Sequence, residues 1–126
     1  MKRTDERELA FKTIYSKFFN PSAEGDVLDN ADPKGLEFTS QILSQFAEHY
    51  TEINDIISAN LKGYTIERVY KIDLAILILA VIELKFIKNP KEVVINEAVE
   101  LAKKFSTEKS PKFINGFLAT IVKELK

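Results

Sequence analysis

The residue types that most often carry catalysis are scarce in this sequence. It has no cysteine, which removes thiolate nucleophiles, disulfides and cysteine-based metal sites together. His49 is the only histidine, so a metal site would need carboxylates alone as further ligands, and we expect a surface histidine instead. The sequence also lacks a phosphate-binding glycine loop, a nucleophile elbow and a dinucleotide fingerprint. We therefore predict no catalytic residues, no metal and no cofactor.

The charged residues indicate binding more than catalysis. The net charge is −1 at pH 7, which gives no whole-molecule attraction to nucleic acid. The charges are nevertheless unevenly distributed, because residues 23–32 carry four acids and no basic residue, while residues 103–126 hold six lysines against two glutamates. One face of the molecule could therefore be positive.

The elements that position these charges are predicted to be helices, because apolar residues recur at helical spacing. The first helix is predicted to begin at Asp5, with Glu8 completing a reciprocal capping box, and to end at Asn20-Pro21. Residues 22–32 read as an acidic loop. Asp32-Pro33 then offers an N-cap and a first-turn proline for a second helix.

The middle of the chain predicts a third helix, a short turn and a core helix. Thr51 can cap the third helix, and Gly63 can follow it in a left-handed conformation. After a turn over residues 65–70, Asp73 is expected to cap a helix whose residues 74–82 are all apolar. A helix that is apolar on every side is typical of one surrounded by other helices.

The last third predicts two more helices. Asn89-Pro90 ends the core helix, and Ser110-Pro111 begins the final one. Within the apolar helix, Glu83 is expected to be a paired carboxylate. Asn115-Gly116 falls inside the final helix, where a close helix crossing would explain the glycine. The sequence thus predicts an all-α protein, a compact bundle of six to seven helices.

Length and composition agree with one helical domain over residues 1–126. The 126 residues are 45% hydrophobic, which is ample for a core, and no composition shift divides the chain. The longest apolar run has nine residues, whereas a membrane-spanning helix needs about 20, and the N-terminus has no apolar signal core. We expect a soluble cytoplasmic protein with no membrane association.

Two blocks near the C-terminus carry a family resemblance. Ile95 to Lys103 reads INEAVELAK, and Ser110 to Leu118 reads SPKFINGFL. In this order the blocks resemble the NusB-type transcription antitermination factors, and the similarity extends through residues 7–10 and 72–77. The family pattern usually has two arginines where this chain has Leu74 and Ile78.

The resemblance implies a NusB-like helical fold without catalysis. Members of the family bind the boxA element of nascent RNA, as a single strand, together with a small-subunit ribosomal protein that doubles as NusE. They act within the transcription elongation complex. Such binding needs cations for phosphates and flat side chains for unstacked bases.

The resemblance also suggests which residues contact RNA. The phosphate contacts are expected at the start of the first helix and around the start of the last, where a helix N-terminus itself attracts anions. The alternative is ordinary solvated surface for the cations and core packing for the aromatic rings. The predicted RNA-binding residues are Lys2, Arg3, Arg7, Tyr15, Phe105, Lys109, Ser110, Lys112 and Phe113.

Arg68 and Asp73 are the residues predicted to contact a NusE-type partner. The family has an acid at the position of Asp73, on the partner surface. The alternatives are that Asp73 only caps its helix, or that it pairs with Arg68 in an intramolecular salt bridge. Exposed apolar surface on the core helix could serve a homodimer or the NusE-type partner equally well.

Two other functions are compatible with the sequence. The reduced number of arginines and the charge of −1 fit a helical protein-interaction module with little RNA affinity. Some ribosomal RNA cytosine methyltransferases carry a NusB-like domain, but the absence of a catalytic domain and of cysteine argues against a modifying enzyme. A protein-interaction module would show no salt-dependent RNA binding, whereas an RNA-binding protein would. A methyl-transfer assay with S-adenosylmethionine would detect the modifying enzyme.

Overall fold

The computed structural model describes residues 2–18, 36–63 and 65–125, and in this part of the chain there are six α-helices and no strand. They are α1 (Arg3–Lys17), α2 (Glu37–Glu48), α3 (Tyr50–Asn60), α4 (Lys71–Val81), α5 (Lys91–Phe105) and α6 (Ser110–Glu124). A 3₁₀ turn (Ile66–Arg68) precedes α4, and a π turn (Ile82–Ile87) extends it. The prediction of an all-α bundle is confirmed. None of these helices is long and apolar enough to cross a membrane.

The core helix of the prediction is α4, and it lies at the centre of the molecule. Every residue from Asp73 to Glu83 is buried. Four helices, α1, α3, α5 and α6, pack against α4, while α2 packs against the π turn. Leu74 and Ile78 are part of this core, so the positions where relatives have arginines serve packing here. The expected exposed apolar surface on this helix is therefore wrong for residues 73–83, because neighbouring helices cover it.

The predicted helix starts near the N-terminus are only partly correct. Helix α1 begins at Arg3, and Asp5 lies in its first turn without a capping hydrogen bond, so the capping box is wrong. Glu8 pairs instead with Lys12 and Lys104. Helix α3 begins at Tyr50, one residue before the predicted Thr51. The predicted Asn20-Pro21 break, the acidic loop and the Asp32-Pro33 cap lie outside the described residues.

The start of α2 is capped by a residue of α1. One carboxylate oxygen of the buried Glu6 accepts hydrogen bonds from the backbone N–H groups of Phe38 (3.0 Å) and Thr39 (3.1 Å). The Thr39 hydroxyl donates to the Glu6 carbonyl oxygen at 3.1 Å. The negative charge sits at the positive end of the α2 dipole, which favours it. These bonds fix the first turn of α2 against α1.

Of the two glycines for which a structural role was predicted, one has the expected conformation and the other lacks the expected contact. Gly63 has φ +85°, the left-handed conformation predicted for it, although the residue that directly ends α3 is Leu61. Gly116 is exposed on α6, and no described atom lies within 4 Å of the position that a Cβ would occupy. The expected close helix crossing at Gly116 is therefore wrong.

Candidate nucleic-acid interface

Side chains of α1 and α5 meet at several points along the two helices. In the first half of each helix, the Thr4 hydroxyl of α1 donates a hydrogen bond to a Glu97 carboxylate oxygen of α5 at 2.9 Å. Further along, the rings of Phe11 and Phe105 lie 5.3 Å apart. Phe105 is the last residue of α5, and the α5–α6 loop (residues 106–109) follows it, so the middle of α1 lies at the end of α5. This contact joins the predicted Phe105 to α1, the helix that also carries the predicted Tyr15.

The exposed basic residues that were predicted to bind RNA fall into two groups, one at the start of α1 and one at the start of α6. Lys2 and Arg3 are exposed at its start, and the Arg3 guanidinium lies 4.5 Å from the centre of the Phe38 ring. Tyr15 is twelve residues further on, which corresponds to about 18 Å of helix. Lys109 and Lys112 are exposed at the beginning of α6. The exposed cations therefore lie at the starts of two different helices.

Arg7 differs from the other predicted cations because it is buried, with 5% of its surface exposed. Its Nε lies 2.9 Å from both carboxylate oxygens of Glu83, and its Nη2 lies 2.8 Å from one of them. Its Nη1 reaches Glu97 at 3.4 Å, and the Asn89 side-chain amide donates to Glu83 at 2.9 Å. The expectation of a paired carboxylate at Glu83 is confirmed. A phosphate contact by Arg7 stays a prediction, and the geometry favours a role in holding α1 against the π turn.

Asp73 does not cap α4, because that helix begins two residues earlier at Lys71. Its carboxylate instead accepts hydrogen bonds from the hydroxyls of Ser106 (2.6 Å) and Ser110 (3.0 Å). The Ser110 hydroxyl also lies 2.8 Å from those of Ser106 and Thr107. The predicted cap is therefore wrong, and the sequence gives no sign that hydroxyls more than 30 residues away bind this carboxylate.

The network around Asp73 positions the start of α6. Ser110, with 2% of its surface exposed, is a buried anchor. Lys109 and Lys112 lie on either side of it and are exposed. The predicted RNA contact through the Ser110 side chain stays a prediction, while its burial favours a role in positioning its neighbours.

The predicted stacking residues are each half-buried. Tyr15 lies 6.4 Å from Phe11, which in turn contacts Phe105, so the three rings form a row. Phe113 lies 6.1 Å from Phe117 in α6. Each ring thus combines a packing contact with partial exposure, so part of its surface is available for a base to cover.

The structure separates the two residues predicted to contact a protein partner. Arg68 is exposed on the 3₁₀ turn, close in sequence to the exposed Tyr70. Asp73 is buried and bound to the α5–α6 loop. No ion pair joins Arg68 to Asp73 among the described residues, so the alternative of an intramolecular salt bridge is wrong.

The single histidine lies in a polar and aromatic cluster of its own. His49 is half-buried and stacks on Phe86 at 4.2 Å between ring centres, with its Nδ1 3.6 Å from Glu52. Within the ranges that the structure describes, no three histidine, cysteine or acidic side chains are placed to hold a metal ion.

Sequence reasoning missed Lys12 and Lys104, which belong to the same surface as Phe105. Each ammonium lies 5.3 Å from the centre of the Phe105 ring. The two lysines come from different helices, α1 and α5, and only their spatial proximity reveals the pair. Nothing in the spacing of residues along the chain could have identified it.

Comparison with known proteins identifies the family. Residues 4–123 match the NusB family. The chain is 38% identical over 130 residues to the transcription antitermination protein NusB of Finegoldia magna, covering 98% of this chain and 95% of that protein. T. maritima NusB superposes with a TM-score of 0.88 at 33% identity, covering 98% and 92% of the two chains. A structure of the antitermination factors NusB and NusE in complex with double-stranded RNA gives 0.83 at 28% identity, covering 98% and 99%. The chain therefore belongs to the NusB family of transcription antitermination proteins.

Proposed function

We propose that this protein binds boxA-type single-stranded RNA together with a NusE-type ribosomal protein, and that it acts in transcription antitermination as one NusB-like domain over residues 1–126. The observation that carries the proposal is the full-length similarity to a NusB that forms a complex with NusE and RNA. The role implies a cytoplasmic protein that works within the transcription elongation complex.

The charges and rings of the described surface support RNA as the ligand. Exposed cations at the starts of α1 and α6 would neutralise phosphates, and the part-exposed rings of α1, α5 and α6 would stack on unpaired bases. We assign phosphate contacts to Lys2, Arg3, Lys109 and Lys112. Stacking contacts are assigned to Tyr15, Phe105 and Phe113, while Arg7 and Ser110 act by positioning these residues.

The protein partner is assigned to the exposed turn before α4. Arg68 and Tyr70 project from this turn, and the neighbouring Asp73 is occupied by the α5–α6 loop. A charge reversal, Arg68→Glu, is expected to weaken binding of the NusE-type protein without changing the affinity of this chain alone for RNA. Equal partner affinity in the variant and the wild type would remove the turn from the interface.

The test of RNA binding is a titration of fluorescent boxA-type RNA at several salt concentrations, with and without the NusE-type partner. Scrambled RNA and a double-stranded form of the same sequence serve as comparisons. If about four phosphates are neutralised, log affinity should fall against log salt with a slope near −3, at about 0.7 per contact for single strands. Binding that strengthens with the partner and prefers boxA supports the proposal.

A matched pair of variants tests the assigned lysines. Lys109→Met and Lys112→Met should each lower the magnitude of the salt slope by about 0.7, because each removes one phosphate contact. Lys123→Met is the control, since Lys123 is exposed on the same helix in its last turn. Absence of RNA binding in every mixture would favour the protein-interaction module instead.

The proposed role is binding without catalysis. Methyl transfer to ribosomal RNA from S-adenosylmethionine is the activity that would contradict it, and radiolabelled methyl donor gives a direct assay. Turnover by the purified chain above that of a heat-denatured control would require an enzymatic function.

A further inference from the structure

The ring of Phe105 is bordered by two positive charges. The Lys12 and Lys104 ammonium groups each lie 5.3 Å from the ring centre, and the ring itself packs on Phe11 from inside. Ammonium groups at this distance are attracted by the ring face. The accessible part of Phe105 is therefore a cationic surface, to which α1 contributes Lys12 and α5 contributes Lys104.

Glu8 holds the two lysines together. One of its carboxylate oxygens lies 2.6 Å from Lys104 Nζ, and the other lies 3.2 Å from Lys12 Nζ. The hydrogen bond from Lys104 is the main reason that the pKa of Glu8 lies below its usual value of 4.5, so the carboxylate is charged at neutral pH. Two positive charges against one negative charge leave the group with a net charge of +1.

The lysines remain accessible to a further anion. Their side chains are 56% and 61% exposed, whereas that of Glu8 is 23% exposed. Exposed ion pairs are weak, so an RNA phosphate can share or replace the Glu8 contact. A base that stacks on Phe105 must also move an ammonium off the ring, and the phosphate of the same strand is the anion to which that ammonium can move.

We propose that Lys12 and Lys104 form a phosphate-binding site for RNA beside Phe105, and that Glu8 both holds the two ammonium groups in place and competes with the phosphate for them. This inference rests on the proposed function, since it names further contacts of the same RNA surface. It adds three residues that neither the sequence motifs nor the family match assigns.

The neighbouring groove between α1 and α5 limits where the RNA strand can lie, because its lining is mainly acidic. The groove encloses about 510 Å³ and is lined by four acids and two lysines. Its excess of negative charge repels an RNA backbone, so the strand is confined to the Phe105 side of Lys104. The acids that line the groove are Asp5, Glu8, Glu97 and Glu100.

The test compares lysine variants in the complex of this chain with its NusE-type partner. The double variant Lys12→Met/Lys104→Met should lower affinity for boxA-type RNA about three- to tenfold and lower the salt slope by about 0.7, the value for one phosphate. Scrambled RNA should lose affinity by the same factor, because a phosphate contact carries no sequence information. Lys103→Met is the control, since Lys103 lies beside Lys104 but pairs with Glu100 at 3.3 Å.

A second pair of variants tests the competition by Glu8. Glu8→Gln should raise RNA affinity about threefold, which corresponds to the repulsion of two unit charges about 6 Å apart in water. The gain should fall below about twofold in the Lys12→Met/Lys104→Met background, because the phosphate no longer occupies the site. Glu100→Gln removes the same charge from the ion pair with Lys103, on the groove side of Lys104, and should raise affinity by less than about 1.5-fold.

The outcomes distinguish this inference from the function on which it rests. Wild-type binding with equal losses in the double variant and Lys103→Met would overturn the site and leave the RNA-binding function standing. A decrease in affinity with Glu8→Gln would overturn the competition. No RNA binding by the wild-type complex would overturn both the site and the function. Thermal melting of each variant establishes that it is folded at the assay temperature.

Discussion

The substitution Arg7→Met should destabilise the protein by about 3 kcal/mol, at the lower end of the 3–5 kcal/mol typical of breaking a buried ion pair. Arg7 and Glu83 are both buried, at 5% and 1% exposure. Methionine fills much of the same space but leaves the Glu83 charge without its cation. The Asn89 amide, 2.9 Å away, still donates to Glu83, which is why we expect the lower end of the range.

Urea unfolding followed by far-ultraviolet circular dichroism gives the measurement. With a slope of about 1–3 kcal/mol per molar urea, a loss of 3 kcal/mol lowers the midpoint by about 1 M or more. The double variant Arg7→Met/Glu83→Leu should recover most of the loss, because an apolar pair can replace a buried ion pair at little cost. Lys103→Met, from the exposed pair with Glu100, should change stability by less than about 1 kcal/mol.

The result that would refute this reasoning is a cost below about 1 kcal/mol for Arg7→Met. That value is typical of exposed ion pairs. It would mean that water reaches the guanidinium, and that Arg7 is available to a phosphate as the sequence first suggested. A change in the RNA salt slope of the folded variant would point the same way.

Three further predictions concern other parts of the bundle. Gly116→Ala should raise the free energy of unfolding by about 0.5–1 kcal/mol, because the site is helical and open, whereas Gly63→Ala should lower it because φ is +85° there. Asp73→Ala should lower stability by about 1–3 kcal/mol in thermal melts, since it removes the carboxylate that accepts from both the Ser106 and the buried Ser110 hydroxyl, and should weaken RNA binding by loosening the start of α6. The pair of Glu8 with Lys104 should contribute less than about 1 kcal/mol, fully present above pH 4.5 and lost as the pH falls through the lowered pKa of Glu8. Urea unfolding of Glu8→Gln from pH 3 to pH 7 should show this pH-dependent contribution removed.

The sequence predicted the helices well because their signals are local. Apolar spacing identified all six, the proline at position 111 marked the start of α6, and Gly63 adopts the conformation expected of it. The predictions of helix-capping residues were less accurate. Asp73 and Glu8 are suitable capping residues by type, yet each is bound by partners that lie far away in the sequence.

The sequence could predict candidate RNA-binding residues, but not which of them are exposed or lie close together in the fold. Lys2, Arg3 and Arg7 look alike in a list of cations, and only the fold shows that Arg7 is buried against Glu83 while the other two are exposed. The pairing of Lys12 with Lys104 depends on how α1 lies against α5, a tertiary relationship that no local pattern contains.

The central position of α4 has a consequence for the motions of the whole molecule. Because α1, α3, α5 and α6 all pack on α4, its unfolding would remove the surface that holds each of them. The amide hydrogens of residues 74–81 should therefore exchange with solvent only when the entire bundle opens, while helix ends exchange through local fraying. A ligand that binds only the folded bundle stabilises it by mass action. The slowest hydrogens of α4, although they belong to buried residues, would thus exchange more slowly when RNA or a protein binds anywhere on the folded surface.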